Sequence, residues 1–120
     1  MSVTVVRYQT RPDRAEENQS LVEEVFAELH VSQPEGLSYT TYRLADGVSF
    51  VHVAEVDTAD GHNPLTAAAA FDSFLEGIAD RCAEGPDASS ATVVGRYRPT
   101  TRADGHRGER AADLGAGTAG

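Results

Sequence analysis

The first part of the chain contains one β-branched run followed by one amphipathic segment. Val3 to Tyr8 is β-branched and aromatic and lacks glycine and proline, which predicts a strand. After Pro12, apolar residues recur at helical spacing and glutamates occupy most other positions, which predicts an amphipathic helix from Arg14 to His30. Asp13, with a glutamate three residues later, has the form of a capping box at the start of this helix.

A strand pair is predicted next. Leu37 to Leu44 is rich in tyrosine and threonine, and Val48 to Val56 is rich in valine, which is typical of strands. The dipeptide Asp46-Gly47 separates the two runs and favours a tight turn in which both residues have positive φ. We therefore expect an antiparallel hairpin here.

A second helix and a closing strand complete the predicted elements. Asn63 in the N-cap position and Pro64 after it favour a helix start, and an apolar stripe at helical spacing continues from Leu65 to Cys82. The Gly-Pro pair at 85–86 is expected to end this helix. Residues 91–98 (ATVVGRYR) predict the last strand.

The predicted order β-α-β-β-α-β is the ferredoxin-like pattern. It is an α+β fold in which one four-stranded antiparallel sheet carries both helices on one face. The opposite face would then be bare, and both alternating sets of side chains in the Val48–Val56 strand contain apolar residues. We therefore expect a homodimer that forms through this sheet face. The pattern leaves open which set of side chains faces the helices.

Periodicity ends near Pro99. The stretch from 99 to 120 contains Leu114 and no other large apolar residue, so it cannot bury enough surface to offset the entropy cost of ordering. The sequence therefore predicts a ferredoxin-like domain over residues 1–98 and a disordered C-terminal tail over residues 99–120.

Charge and cysteine content narrow the function classes. The net charge is −9 and every basic residue is arginine, which argues against nucleic acid and against an anionic membrane surface as partners. The single cysteine allows no intramolecular disulfide. No basic n-region with an apolar run opens the chain, and no apolar run approaches the ~20 residues of a membrane span. We therefore expect a cytoplasmic protein.

His52 is the candidate acid or base. It lies in a predicted strand between Val51 and Val53, where no turn requires a polar residue. The functional interpretation is a cavity-lining acid, base or hydrogen-bond donor, and the alternative is a hydrogen-bonded strand histidine. Its side chain points opposite to the two valines, and we favour the side that faces the helices. The spacing of the histidines predicts no metal site.

Aromatic residues and one arginine are the other candidates. Arg43 shares a strand face with Tyr39, whereas Tyr42 faces the opposite side. Arg43 is a candidate catalytic residue that would stabilise an anion, and the alternative for the aromatic residues is simple packing. The candidate substrate-binding residues are Tyr39, Tyr42, Phe50 and Phe71.

With NPLTAAAAFDSFLEGIADRC as the second helix and ATVVGRYR as the closing strand, residues 3–98 resemble the antibiotic-biosynthesis-monooxygenase-like family of dimeric α+β barrels. The resemblance implies a homodimer whose sheets pack face to face, with a pocket in each subunit between sheet and helices. Members include cofactor-independent quinone-forming oxygenases and haem-degrading enzymes. The haem-degrading branch has an Asn-Trp-His arrangement, whereas this chain has no tryptophan and no asparagine in its first predicted strand.

Two functional hypotheses follow. The first is a cofactor-free monooxygenase of a small aromatic or polyketide-like substrate, in which His52 deprotonates a phenol and Arg43 or tyrosine residues stabilise the anion. The second is a noncatalytic dimeric module that binds a small apolar ligand or serves a structural role. Fold alone does not separate the two, but a pocket that contains His52 together with a tyrosine or arginine favours the first.

Overall fold

An antiparallel four-stranded sheet with helices packed on one face forms the domain. The computed structural model describes residues 1–99, and the remainder of the predicted tail lies outside the described residues. The elements are β1 (Ser2–Thr10), α1 (Ala15–Ser32), β2 (Leu37–Arg43), β3 (Ser49–Val56), α2 (Ala69–Leu75), α3 (Ile78–Arg81) and β4 (Cys82–Ala91), with 3-10 turns at Pro12–Arg14 and Pro64–Ala67. The predicted α+β, ferredoxin-like fold is confirmed.

The strand order β2-β3-β1-β4 puts β1 and β3 in the centre of the sheet. In the antiparallel register, His52 on β3 lies opposite Val6 on β1 and opposite Thr41 on β2. Because side chains alternate along a strand, Tyr8 and Tyr39 are on the same face as His52. This is the face that packs against the helices.

The hydrophobic core lies between that face and the helices. Its buried residues come from the central strands, from α1, from the α2 region and from the start of β4: Tyr8, Val22, Val25, Phe50, Leu65, Phe74 and Cys82. Cys82 is a free, buried thiol, so it serves here as a small hydrophobic residue.

The predicted hairpin is present, but its turn differs from the expected one. Gly47 has a positive φ of 80°, whereas Asp46 does not. Instead, the Asp46 carboxylate accepts hydrogen bonds from the backbone N–H groups of Val48 and Ser49 at 2.9 and 2.8 Å, and from the Ser49 hydroxyl at 2.6 Å. This side-chain closure replaces the tight turn that the dipeptide predicted.

Helix α1 confirms the amphipathic segment, but the predicted capping box does not form. A 3-10 turn precedes the helix, so Arg14 and not Asp13 occupies the N-cap, and it makes no side-chain cap hydrogen bond. The helix ends at Gln33, which has a φ of 48° and donates its backbone N–H to the Leu29 carbonyl. This left-handed residue is a common C-terminal cap.

The second half of the chain departs most from prediction. The expected helix over 63–82 is divided into a 3-10 turn, α2 and α3. Ala68, which has an extended backbone, separates the turn from α2, and Gly77, with a φ of 80°, separates α2 from α3. The last strand is β4 at Cys82–Ala91, and residues 92–99 have no regular secondary structure, so the predicted strand at 91–98 is wrong. Since β4 is an edge strand paired with β1 alone, its side chains can remain polar and exposed.

Glycine is required where β4 passes Tyr8. Gly85 has a φ of 85°, and a Cβ there would lie 3.0 Å from the Arg7 carbonyl oxygen and 3.1 Å from the Tyr8 Cα. The pairing register of β1 and β4 shifts between Arg7 and Gln9, next to this contact. The backbones of β4 and β1 therefore pack closely at Tyr8, and this contact leaves no room for a side chain at residue 85.

In residues 1–99 no helix covers the other sheet face. Val5, Val51 and Val53 are half-buried there, and the segment after β4 reaches this face through an ion pair of 2.7 Å between Arg96 and Glu55. The segment also carries the exposed side chain of Tyr97. No helix in this part of the chain has the length and apolar content needed to cross a bilayer.

Candidate functional site

A cavity of about 190 Å³ lies between the helix-facing side of the sheet and the α2 region. Its walls are mainly apolar and aromatic. Tyr8 and His52, which are 2% and 5% exposed, form its buried part together with Phe74. Phe71 and Leu75 form the rim, where Leu75 is 46% exposed. The cavity therefore has a buried end with the polar groups of Tyr8 and His52, and its more exposed lining includes apolar Phe71 and Leu75 together with polar Thr4 and Asn63.

Both ring nitrogens of His52 lie within hydrogen-bond distance of hydroxyl groups. Nε2 is 2.7 Å from the Tyr8 hydroxyl, and Nδ1 is 2.6 Å from the Tyr39 hydroxyl and 3.1 Å from Thr41 Oγ1. The strand register explains the arrangement, because β1 and β2 flank β3 and present these side chains on its helix-facing side. His52 is thus held between hydroxyls from both neighbouring strands.

A second layer of buried polar groups supports Tyr8. The Arg81 Nε donates to Asn18 Oδ1 at 3.0 Å, and Asn18 Nδ2 donates to the Tyr8 hydroxyl oxygen at 2.8 Å. Because a guanidinium can only donate, this contact fixes which arm of the Asn18 amide faces Tyr8. Arg81 and Asn18 are 2% and 0% exposed.

These contacts assign the protons of the network. The Tyr8 hydroxyl accepts from Asn18, so its own proton is free to go to His52 Nε2. A neutral imidazole has one donor and one acceptor nitrogen, so Nδ1 then carries the ring proton and donates toward Tyr39 or Thr41. Every polar group in the buried end of the cavity has a partner in this arrangement.

The imidazole and the two phenols of the network are uncharged at neutral pH. Burial lowers the pKa of His52 from 6.5 to about 4, because the charged imidazolium is poorly solvated there. Burial also raises the pKa of Tyr8, an effect that the Asn18 hydrogen bond opposes in part. The pKa of Tyr39 is raised by burial as well. The buried end of the cavity therefore holds a neutral imidazole and neutral phenols.

The guanidinium of Arg81 is held by neutral groups. Besides Asn18, it donates to the carbonyl oxygens of Phe74 and Glu76 at 2.6 and 3.1 Å, and it lies 5.2 Å from the centre of the Phe74 ring. These carbonyls belong to the C-terminal end of α2, where a positive charge is favourable. The positive charge of Arg81 therefore lies next to Asn18, on the side away from Tyr8. None of the Arg81 contacts named here is with a carboxylate.

The structure brings together only some of the residues predicted from sequence. His52, Tyr39 and Phe71 line the cavity. Phe50 does not, because it is 1% exposed in the core and stacks on Tyr8 with the ring centres 5.5 Å apart. Tyr42 is 54% exposed on the opposite sheet face, so it is not part of this site.

Arg43 also lies outside the cavity. It shares the helix-facing side with Tyr39, but its guanidinium is used at the α1 edge, where it pairs with Glu16 at 3.0 Å and donates to Gln19 at 2.7 Å. Its Nε donates to the Gly47 carbonyl at 2.9 Å. Arg43 therefore links the β2–β3 hairpin to α1, and it does not lie beside His52.

Sequence reasoning missed Tyr8, Asn18 and Arg81. Asn18 did leave a signal, since it falls on the buried stripe of α1 between Ala15 and Val22, where an amide needs a specific partner. Arg81 left none, because an arginine near a helix end is normally exposed.

The arrangement can accept a proton and hold an oxygen anion. Nε2 of the imidazole is the proton acceptor, and the Tyr39 hydroxyl keeps a proton of its own that it can donate to an oxygen anion in an environment of low polarity. Within residues 1–99, no three His, Cys, Asp or Glu side chains are grouped so that they could hold a metal ion.

Comparison with solved structures identifies the fold. No family model and no curated protein matches the chain. A putative antibiotic biosynthesis monooxygenase from Nitrosomonas europaea is 18% identical with a TM-score of 0.65, over 79% of this chain and 100% of that one. Another from Bacteroides thetaiotaomicron is 16% identical with a TM-score of 0.66, over 86% and 95%. SnoaB, a cofactor-independent oxygenase from Streptomyces nogalater, is 16% identical with a TM-score of 0.59, over 79% and 94%. The chain therefore has the fold of the antibiotic-biosynthesis-monooxygenase-like family, which confirms the resemblance seen in its sequence.

Proposed function

We propose that the chain is a cofactor-independent monooxygenase that oxidises a small aromatic or polyketide-like phenol. The observation that carries this proposal is the position of His52 between the Tyr8 and Tyr39 hydroxyls in the wall of a mainly apolar cavity. SnoaB, which shares the fold, is a cofactor-independent oxygenase. That likeness is an analogy of fold and supports the proposal only as such.

The first step is removal of the phenol proton. The substrate hydroxyl gives its proton to the Tyr8 oxygen while Tyr8 passes its own proton to His52 Nε2, which is 2.7 Å away. With a pKa of about 4, His52 is a weak base in the empty cavity. The phenolate that forms beside it favours the charged imidazolium and raises that pKa, since opposite charges stabilise each other at low dielectric.

The anion is stabilised by the Tyr8 side of the network. Asn18 and Arg81 are positioning residues, because they act on the substrate through the Tyr8 hydroxyl. Arg81 also supplies a positive charge whose contacts include no carboxylate. In this proposal it takes over the role that the sequence suggested for Arg43.

The oxidation balances without a cofactor. The phenolate transfers electrons to molecular oxygen, and one oxygen atom forms a bond to a ring carbon that carries hydrogen. The O–O bond then breaks, and the ring carbon loses its hydrogen to give the quinone carbonyl. The second oxygen atom leaves as water with the phenol proton and the ring hydrogen, so phenol and O₂ give quinone and H₂O.

An oxygen electrode tests the proposal. With phenols and no added cofactor, we expect the wild-type chain to consume oxygen and His52→Gln to lose kcat by roughly 100-fold or more, the usual effect of removing an acid–base group. His30→Gln is the matched control, because His30 is exposed at the end of α1. Full oxygen uptake by His52→Gln would refute the role of His52.

One observation favours a second function, a noncatalytic module that binds a small aromatic ligand. Both nitrogens of His52 already have partners within the protein, and burial keeps the ring neutral. A histidine of this kind can serve to hold the strands in place. Ligand binding by the wild-type chain without oxygen uptake for any phenol in the screen would select this alternative.

The proposal includes a homodimer that forms through the sheet face opposite the helices. It is supported by the half-buried valines on that face and by Val94 and Tyr97, which are 99% and 86% exposed. It also places the protein in the cytoplasm, since its single cysteine is a free thiol, which suits a reducing compartment.

A further inference from the structure

The size of the cavity limits what it can hold. Its volume of about 190 Å³ is close to the roughly 150 Å³ of an apolar protein cavity that binds benzene. It falls well below the roughly 300–1,000 Å³ typical of pockets for drug-sized ligands. One six-membered ring with a small substituent fills most of this space, so a second fused ring would have to lie in the open mouth of the cavity.

The aromatic walls resist enlargement because they pack on one another. The ring centre of Phe74 lies 5.3 Å from that of His52, 6.3 Å from that of Tyr8 and 6.1 Å from that of Phe71. Phe74 is 3% exposed, and its carbonyl oxygen is held by Arg81 at 2.6 Å. Admitting a second ring would disturb several of these contacts together, since packed interiors have little free volume.

The polarity of the cavity orients the ring. Tyr8 and His52 occupy the buried end, whereas half-exposed Phe71 and Leu75 form the mouth. A ring that carries one hydroxyl therefore enters with that hydroxyl first and leaves its apolar edge against the rim. A fused polycyclic ring in the same orientation would extend past Leu75 into solvent.

We propose that this cavity selects single-ring phenols over fused polycyclic phenols. The proposal rests on the proposed function and narrows its substrate class from aromatic or polyketide-like molecules to monocyclic ones. The chemistry that recognises the ligand is one hydroxyl at the Tyr8–His52 pair and one aromatic face against Phe71 and Phe74.

Binding is measured apart from turnover, by NMR chemical-shift titration of the full-length protein under nitrogen. The probes are phenol, toluene as an isostere without the hydroxyl, and 1-naphthol as the smallest fused phenol. We expect phenol to bind about tenfold more tightly than 1-naphthol, although 1-naphthol is more hydrophobic, and more tightly than toluene. The wild-type ratio decides the question even if no variant folds.

Enlarging the mouth gives an independent readout. We expect Phe71→Ala to raise the affinity for 1-naphthol relative to phenol by about tenfold, and the more conservative Phe71→Leu to produce a smaller change in the same direction. A thermal melt checks that each variant is folded. An unchanged ratio in a folded Phe71→Ala variant would contradict the limit set by the wall.

The outcomes separate this proposal from the proposed function. Wild-type binding of 1-naphthol as tight as that of phenol overturns the single-ring limit, whatever the oxygen electrode shows. Equal binding of toluene and phenol overturns recognition of the hydroxyl. Selective phenol binding without oxygen uptake supports the single-ring limit and overturns the monooxygenase.

Discussion

His52 makes the stability of the domain depend on pH in a direction that can be calculated. Burial lowers its pKa from 6.5 in the unfolded chain to about 4 in the fold. Between these two values the unfolded chain binds a proton that the folded chain does not, so stability falls as the pH falls. The part of the unfolding free energy that depends on a neutral His52 is fully present above pH 6.5 and is lost by about pH 4. The difference between the two pKa values corresponds to about 3 kcal/mol.

The measurement is a pair of stability profiles. Urea unfolding of the wild-type chain and of His52→Gln is followed by circular dichroism at a series of pH values from 7 to 4. The substitution also lowers the unfolding free energy by an amount that does not depend on pH. This amount cancels when the change in free energy between pH 7 and pH 4 is compared for the two proteins. We expect the wild-type chain to lose about 3 kcal/mol more than His52→Gln over this range.

A matched histidine variant excludes a general effect of charge. His30 is exposed, so His30→Gln should give a profile parallel to that of the wild-type chain. Carboxylates that titrate in the same range contribute equally to all of these profiles. Parallel profiles for the wild-type chain and His52→Gln would refute the reasoning, because they would mean that His52 titrates normally and is open to water.

Three further expectations concern the network, the assembly and the domain boundary. Tyr8→Phe keeps the ring but leaves Asn18 Nδ2 and His52 Nε2 without their partner, so we expect a loss of about 2–4 kcal/mol in urea unfolding, whereas Tyr42→Phe should change stability by less than about 0.5 kcal/mol. Equal stabilities would contradict the network. Sedimentation equilibrium at micromolar concentration should give a dimer, and a clean monomer would refute association through the sheet face. Truncation after Arg98 should leave Tm nearly unchanged, and a drop of more than a few degrees would show that the removed residues pack on the protein.

The first half of the fold could be predicted because local and tertiary requirements coincide there. The β1 run and the α1 stripe show the periodicity of elements that bury one side, and the hairpin follows from two strand-like segments joined by Asp46-Gly47. The face of His52 could not be predicted, since both sides of β3 carry apolar residues. The position of the helices decides it, and that is a tertiary property.

The prediction of the second half of the fold failed because β4 lacks the usual sequence of a strand. Its segment CAEGPDASSA is rich in small and polar residues, and all of it except Cys82 is exposed. An edge strand needs pairing on one side only and little burial, so its composition gives almost no signal. The valine-rich 91–98 run gave a strong signal and yet lies almost wholly outside the sheet, with Val94 99% exposed. Propensity predicts whether a segment suits a sheet but not whether a neighbouring strand is available.

Only part of the site could be predicted, because some of its contacts join residues that are far apart in the sequence. Tyr39 and His52 stand out as polar groups in strands, whereas the contacts of Asn18 and Arg81 join residues that are 63 positions apart. No local pattern reports such a pair. The same limit applies to Arg43, whose partners at the α1 edge could not be known before the helix was placed.

The polar edge formed by β4 also disfavours one of the ways in which copies of this chain could associate. Pro86 has no N–H to donate to an additional strand, and Glu84 and Asp87 place negative charge along the same exposed segment. Strand addition at that border, the route by which sheets grow into ribbons and fibrils, is therefore disfavoured. The proposed association through the broad face would cover the surface that drives it, so growth would stop at a closed pair.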